Sequence, residues 1–137
     1  MSLAGLGTQT AALGVGGHIS GPEAVQDFVE EYNGTSWTEV NDINSARRYT
    51  AGCGTTTAGL AAGGYGPPPT PTAVINVSEE YDGTNWAEGN NLNTARYSLG
   101  TFGTQTAAVV FGGRAAPPAD ASVEEYDGTS WSEVTDI

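Results

Sequence analysis

The 137-residue chain is long enough for one ordinary globular domain, and its composition is uneven: it has 20 glycines, 16 acidic residues, four arginines and no lysine. Its formal net charge of −12 repels a phosphate backbone, which argues against nucleic acid as a partner. The sequence predicts neither a membrane partner nor a secretory signal, because no long apolar run is present and no basic segment precedes an apolar core.

The sequence consists of three similar units, and the first half of each unit has the same predicted elements. A short strand of small residues turns at a Gly-Thr pair and continues into a second, apolar strand, which is predicted to stop at a Gly-Gly pair. The first strands are predicted over 2–6, 50–53 and 98–102, and the second over 11–15, 58–62 and 107–111. The Gly-Gly pairs are Gly16-Gly17, Gly63-Gly64 and Gly112-Gly113.

The second half of each unit is a predicted hairpin. Its third strand ends in Glu-Glu-Tyr, an Asn-Gly or Asp-Gly turn follows, and the fourth strand opens at Trp. A four-residue loop would place Tyr opposite Trp on one face of the sheet, and rings of this size can join one sheet to the next. The predicted blade-interface core is Tyr32, Trp37, Tyr81, Trp86, Tyr126 and Trp131. A sugar-stacking platform is the alternative for the same rings.

The three hairpin tryptophans recur at intervals of roughly 45–50 residues, a period typical of repeat arrays. Gly-Gly, Tyr, Trp and a later Arg occur in one order, as in Gly63-Gly64, Tyr81, Trp86 and Arg96. In this order the chain resembles kelch repeats over nearly its whole length, although the spacing after Gly-Gly varies and the third unit has no later Arg. The resemblance implies an all-β fold of kelch-like β-propeller blades, each with four antiparallel strands.

The units divide a single repeat domain, 1–137, into three blades and two connectors. Blade one is predicted at 1–43, blade two at 48–92 and blade three at 97–137, with connectors at 44–47 and 93–96. Propellers typically have four to eight blades, so three blades would expose two apolar faces. Two copies joined head to tail would form a closed six-bladed homodimer through two identical interfaces. A third connector is not seen in the sequence, which fits a half-ring or a fragment of a longer protein, and the similar copies leave an engineered or recently duplicated array open.

Most reactive side chains recur once per unit, which favours structural roles. Glu30, Glu79 and Glu124 are predicted to pair with backbone groups or arginine rather than to act as catalytic carboxylates. Arg47 and Arg96 are predicted to tie neighbouring blades together, since one guanidinium satisfies several acceptors.

The chain has one histidine and one cysteine, which make neither a transition-metal site nor a nucleophile–base pair that the sequence can identify. Cys53 is predicted to be a small core residue. The sequence therefore predicts no catalytic residue, metal or cofactor, and an enzyme is the least favoured class.

The loops after Gly-Gly differ most between the copies. Each begins at His18, Tyr65 or Arg114, and Pro68 and Pro118 stiffen two of them. Variable loops on a repeated scaffold are typical of binding surfaces, and spacer loops without a ligand are the alternative. The principal prediction is a non-catalytic scaffold that pairs with itself. The alternative is a module of a larger surface or viral fibre protein that recognises a glycan or protein in an extracellular or virion setting, to which the acidic composition is suited.

Overall fold

The computed structural model describes residues 2–20, 25–67, 74–115 and 121–137. These residues form three four-stranded antiparallel sheets, each of which we call a blade. The strands are β1 (Ala4–Thr8), β2 (Ala11–His18), β3 (Val25–Tyr32) and β4 (Trp37–Val40) in blade one; β5 (Ala51–Thr55), β6 (Ala58–Tyr65), β7 (Val74–Tyr81) and β8 (Trp86–Glu88) in blade two; β9 (Gly100–Thr104), β10 (Ala107–Phe111), β11 (Val123–Tyr126) and β12 (Trp131–Val134) in blade three. The predicted all-β class is confirmed. None of the described residues forms a helix that could span a membrane.

The predicted register of the third and fourth strands is also confirmed. Tyr pairs directly with Trp in each blade, and the two ring centroids lie 5.1, 4.9 and 4.8 Å apart in blades one, two and three. A side-chain oxygen at the start of each turn accepts backbone N–H groups. In blade two, Asp82 Oδ1 accepts from Asn85 N at 2.7 Å and from Thr84 N at 2.8 Å. These donors hold the pKa of Asp82 below its ordinary value, and Asp127 is held down in the same way in blade three.

Two predicted strand ends were wrong. The Gly-Thr pairs do not form the first turn but belong to the strands, since Gly7 pairs with Ala12 and Thr8 with Ala11. Strands β2 and β6 run through the Gly-Gly pair instead of stopping there, and a β-bulge absorbs the left-handed glycine conformations. Among the second strands of the three blades, only β10 ends at the predicted residue, Phe111.

The bulge needs glycine because a connector passes close to it. A Cβ on Gly16, whose φ is 61°, would lie 2.5 Å from the carbonyl oxygen of Arg47. A Cβ on Gly63 would lie 2.5 Å from the carbonyl oxygen of Arg96. No side chain fits so close to a backbone atom, so the Gly-Gly pairs let each connector lie directly against the second strand of its own blade.

The blades pack face to face, with β1, β5 and β9 side by side as the inner strands. Between blades one and two, aliphatic residues such as Leu13 and Val15 pack in one cluster with Tyr81 and Trp86. Between blades two and three, the corresponding cluster includes Cys53, Leu60, Tyr126 and Trp131. At both junctions, therefore, the earlier blade contributes an aliphatic face and the later blade contributes a Tyr/Trp face. The predicted core role of Cys53 is confirmed, and burial raises the pKa of its thiol.

Candidate functional site

Each blade junction contains a buried arginine–glutamate pair. Arg47 Nη2 contacts Glu79 Oε1, and Arg96 Nη2 donates to Glu124 Oε1 at 2.6 Å. All four side chains are at most 1% exposed. Burial lowers the pKa of Arg47 from its ordinary value, and the attraction of the Glu79 carboxylate opposes that change. Arginine is not deprotonated in proteins, so the pair is an ionic one. The predicted junction role of these arginines is confirmed.

The connector also wraps the glutamate with neutral donors. Asn44 donates to Glu79 Oε2 from its backbone N at 2.7 Å and from Nδ2 at 2.8 Å, and Ser45 N donates to Oε1 at 3.1 Å. Asn93 repeats both contacts on Glu124 Oε2, at 2.7 and 2.9 Å. The sequence Asn-x-Ala-Arg is therefore a binding element for one glutamate of the following blade. The structural role predicted for Glu79 and Glu124 is confirmed.

The Tyr/Trp face makes specific polar contacts as well as apolar ones. The Tyr126 hydroxyl donates to Glu80 Oε1 across the junction of blades two and three. Burial and then the neighbouring Glu80 carboxylate raise the pKa of Tyr126. Trp131 Nε1 donates to Ser78 Oγ at 3.4 Å. Trp86 Nε1 has no hydrogen-bond partner among the described residues, because blade one carries Val29 where blade two carries Ser78.

Two members of the predicted interface core are not covered within the described chain. Tyr81, Trp86, Tyr126 and Trp131 are each at most 6% exposed, whereas Trp37 is 53% exposed and Tyr32 is half-buried. No described blade packs on that side of blade one, as expected for three blades that leave two faces open, so the burial of Tyr32 and Trp37 in an interface stays a prediction. We call this surface, made by Phe28, Glu30, Tyr32 and Trp37, the head face.

The head face contains a cavity of about 200 Å³. Gly16, His18, Phe28 and Glu30 are among the residues that line it. His18 is the last residue of β2, so the expectation that it is carried by a loop was wrong. Glu30 is exposed, unlike Glu79 and Glu124, although it occupies the same position in its blade.

Blade three carries the opposite open surface, which we call the tail face and define by Phe102, Val109, Phe111 and Glu125. Phe102 is 59% exposed, its ring centroid lies 5.8 Å from that of Phe111, and Val109 and Phe111 are half-buried. Phe102 occupies the position of Leu6 and Cys53, which are buried in the junctions within the chain.

The other predicted binding residues meet in a second cavity, of about 460 Å³, at the start of β5 and β9. Its lining residues are Arg48, Tyr49, Tyr65, Tyr97, Ser98 and Arg114. Tyr65 ends β6, and Arg114 forms an isolated bridge with Tyr97, so both are fixed by backbone pairing rather than carried by free loops. Pro68 and Pro118 lie outside the described residues.

Sequence reasoning did not select Arg48, Tyr49 or Tyr97 for this cavity. The Arg48 guanidinium lies 5.0 Å from the ring centroid of Tyr65 and 5.4 Å from that of Tyr49, within cation–π range. Arg48 pairs with Tyr65 as Tyr97 pairs with Arg114, so the two blades hold the same two residue types in swapped order. That swap is visible when the copies are aligned, but the alignment alone does not show that the four side chains are neighbours.

Backbone strain lies at the same cavity. Tyr49 and Ser98 have φ values of 55° and 56°, in the left-handed region that costs a non-glycine residue roughly 1–2 kcal/mol. Tyr49 N donates to Ser2 O and Ser98 N donates to Tyr49 O, both at 2.9 Å. These bonds fix the three inner strands to one another at the cavity.

The described residues contain no cluster of three or more histidine, cysteine or carboxylate side chains placed to hold a metal ion. No family model matches the chain, and no curated protein matches it. A solved structure titled "Structure of YjhT" matches 98% of this chain with a TM-score of 0.75 and 12% sequence identity. The match covers 45% of that chain, so the present chain spans less than half of its length. Similarity at this identity establishes a shared fold.

Proposed function

We propose that the chain is a non-catalytic, kelch-like propeller scaffold, and that a second copy completes its ring. One observation carries this proposal: the head face and the tail face are the two halves of a junction that the chain already contains twice. The head face has the Tyr/Trp pair of that junction, and the tail face has its apolar side.

The polar groups of the two faces also match. Within the chain, Tyr126 donates to Glu80 of the preceding blade. Tyr32 of the head face and Glu125 of the tail face occupy these two positions, so a head-to-tail junction would bring them together. The solved structure that matches this chain is slightly more than twice as long as the matched part, which is room for about the number of blades that two copies supply.

The expected result is a dimer with twice the 14.0 kDa mass of one chain, measured by light scattering during size exclusion at micromolar concentration. Trp37→Asp on the head face, or Phe102→Asp on the tail face, should weaken association by about 30-fold or more, as loss of a central aromatic anchor does. Thr57→Asp, on an exposed turn of the middle blade, is the matched control and should leave the mass unchanged.

Mixing the two damaged chains tests the head-to-tail geometry. Each variant alone has two damaged junctions per dimer, whereas a mixed dimer has one intact junction, so mixing should restore part of the dimer. If the wild-type chain is a well-folded monomer, the proposal is wrong. Dimerisation of Phe102→Asp alone would show a head-to-head interface and exclude ring closure.

The cavity of Tyr65 and Arg114 favours a second candidate function, recognition of a glycan or protein. Arg48 and Arg114 are the two arginines of the chain outside the buried pairs, and both line this cavity beside three tyrosines. Arginine forks and tyrosine hydroxyls bind acidic or hydroxyl-rich groups, and the rings supply flat apolar contact.

Alanine at Tyr65 and Arg114 together is expected to weaken binding to any ligand found on a glycan or protein array, with little change in thermal stability or mass. Titration of the wild-type chain and the double variant with the array ligand measures the effect. Restoring Arg114 alone should recover part of the affinity if that side chain contacts the ligand. Loss of the dimer in the double variant would instead assign these two residues to assembly and remove them from a binding surface. His18 is left unchanged because it lines the head-face cavity.

A further inference from the structure

The two buried arginines enter equivalent sites, which share three contacts. In blade two, Arg47 Nη1 donates to Gly63 O at 3.4 Å and to Val77 O at 2.9 Å, and Nη2 contacts Glu79. In blade three, Arg96 makes the same three contacts with Gly112 O at 3.3 Å, Ser122 O at 2.6 Å and Glu124 at 2.6 Å. An arginine site therefore consists of the first glycine of the Gly-Gly pair, the residue two before the glutamate, and the glutamate itself.

Blade one contains all three parts of this site. Gly16, Phe28 and Glu30 occupy the corresponding positions, and all three line the 200 Å³ cavity of the head face. The backbone has the same conformation, since φ is 61° at Gly16, 62° at Gly63 and 63° at Gly112. Both connector arginines already occupy the sites of blades two and three, and no ion pair involves Glu30 in the described part of the chain.

We infer that the Glu30 cavity is a third connector-binding site, which receives an Asn-x-Ala-Arg segment from the chain that covers the head face. The inference rests on the proposed function in one respect, because the head-to-tail geometry would place a segment that follows blade three of the covering chain next to Glu30. The connectors at 44–47 and 93–96 of a second copy are already bound within that copy. The asparagine and the residue after it would donate to Glu30, as Asn44 and Ser45 do to Glu79. The arginine would then enter beside Gly16 and Phe28.

A consequence follows for a dimer in which no arginine reaches Glu30. Covering the head face would bury the carboxylate without its counter-charge, and an unpaired buried charge opposes association. The charge of Glu30 should therefore weaken a junction in which no arginine reaches it and strengthen a junction in which an arginine does.

The experiment adds Asn-Ser-Ala-Arg after Ile137 and measures the dimer dissociation constant by sedimentation. The extended chain should dimerise at least about tenfold more tightly than the original chain, in line with a charge-assisted contact. Extension with Asn-Ser-Ala-Gln is the matched control and should give little of this gain. Glu30→Gln should tighten the dimer of the original chain and loosen that of the extended chain.

This reversal of sign separates an arginine site from general packing, because a residue that only fills space would change both dimers alike. If the original chain dimerises and the arginine extension gives no gain, the inference is wrong while the proposed function stands. If the original chain is a monomer, the proposed function is wrong. The inference is then supported by dimerisation of the extended chain that Glu30→Gln reduces, and it is overturned if the extended chain also stays monomeric.

Discussion

Replacing Arg47 by methionine is expected to lower the free energy of unfolding by about 3–5 kcal/mol, the usual cost of breaking a buried ion pair on one side. Glu79 would remain fully buried with its charge, held only by the donors of Asn44 and Ser45. Urea denaturation followed by tryptophan fluorescence measures the loss.

Arg114→Met is the matched control, because Arg114 is exposed and belongs to no buried pair among the described residues. Its effect should stay within about 0.5 kcal/mol, as for most surface substitutions. Equal losses for the two variants would mean that net charge, rather than the buried pair, controls stability. The double variant Arg47→Met with Glu79→Met should recover much of the loss, since it removes the stranded charge.

Trp86→Ala is expected to cost about 3–5 kcal/mol, the range for deleting a large buried aromatic side chain. Trp86 is 6% exposed and packs with Tyr81 against the aliphatic face of blade one. The variant should unfold at much lower urea concentration than the wild-type chain, or should fail to fold.

Trp37→Ala is the control for the same residue type at the same position in its blade. Because Trp37 is 53% exposed, the loss should be below about 1 kcal/mol at protein concentrations where the chain is monomeric. A small effect of Trp86→Ala would place its ring outside the core and restore the aromatic platform as an explanation for all three tryptophans.

The hairpins and the blade junctions could be predicted from sequence because each depends on local or repeated signals. Asn-Gly and Asp-Gly mark the hairpin turn, and a four-residue loop at that turn places Tyr opposite Trp. Recurrence of Glu79 and Arg47 in the next unit as Glu124 and Arg96 marked them as structural residues. Comparing copies treats the three Tyr/Trp pairs alike, and it was the number of blades that predicted two open faces, because exposure depends on what packs outside the repeat.

The bulge and the second cavity were not predictable for a different reason. Gly-Gly permits both a strand end and a left-handed bulge, and only the passage of Arg47 against Gly16 decides between them. At the cavity, Arg48 pairs with Tyr65 and Tyr97 pairs with Arg114. The two members of each pair are separated in sequence by a hairpin, and no local motif marks their side chains as neighbours.

The connector arginine has its backbone on one blade and its charge in the next. Gly17 N donates to Arg47 O at 2.8 Å within blade one, while the guanidinium of the same residue lies against Glu79 in blade two. If the chain is cut before or after Arg47, this residue stays covalently attached to only one of the two blades. An excised blade therefore keeps either the main-chain contact of Arg47 or its ionic contact, but not both. We therefore expect a junction rather than a sheet to be the cooperative folding unit of this chain, so that excised single blades are unfolded even though each has all four of its strands.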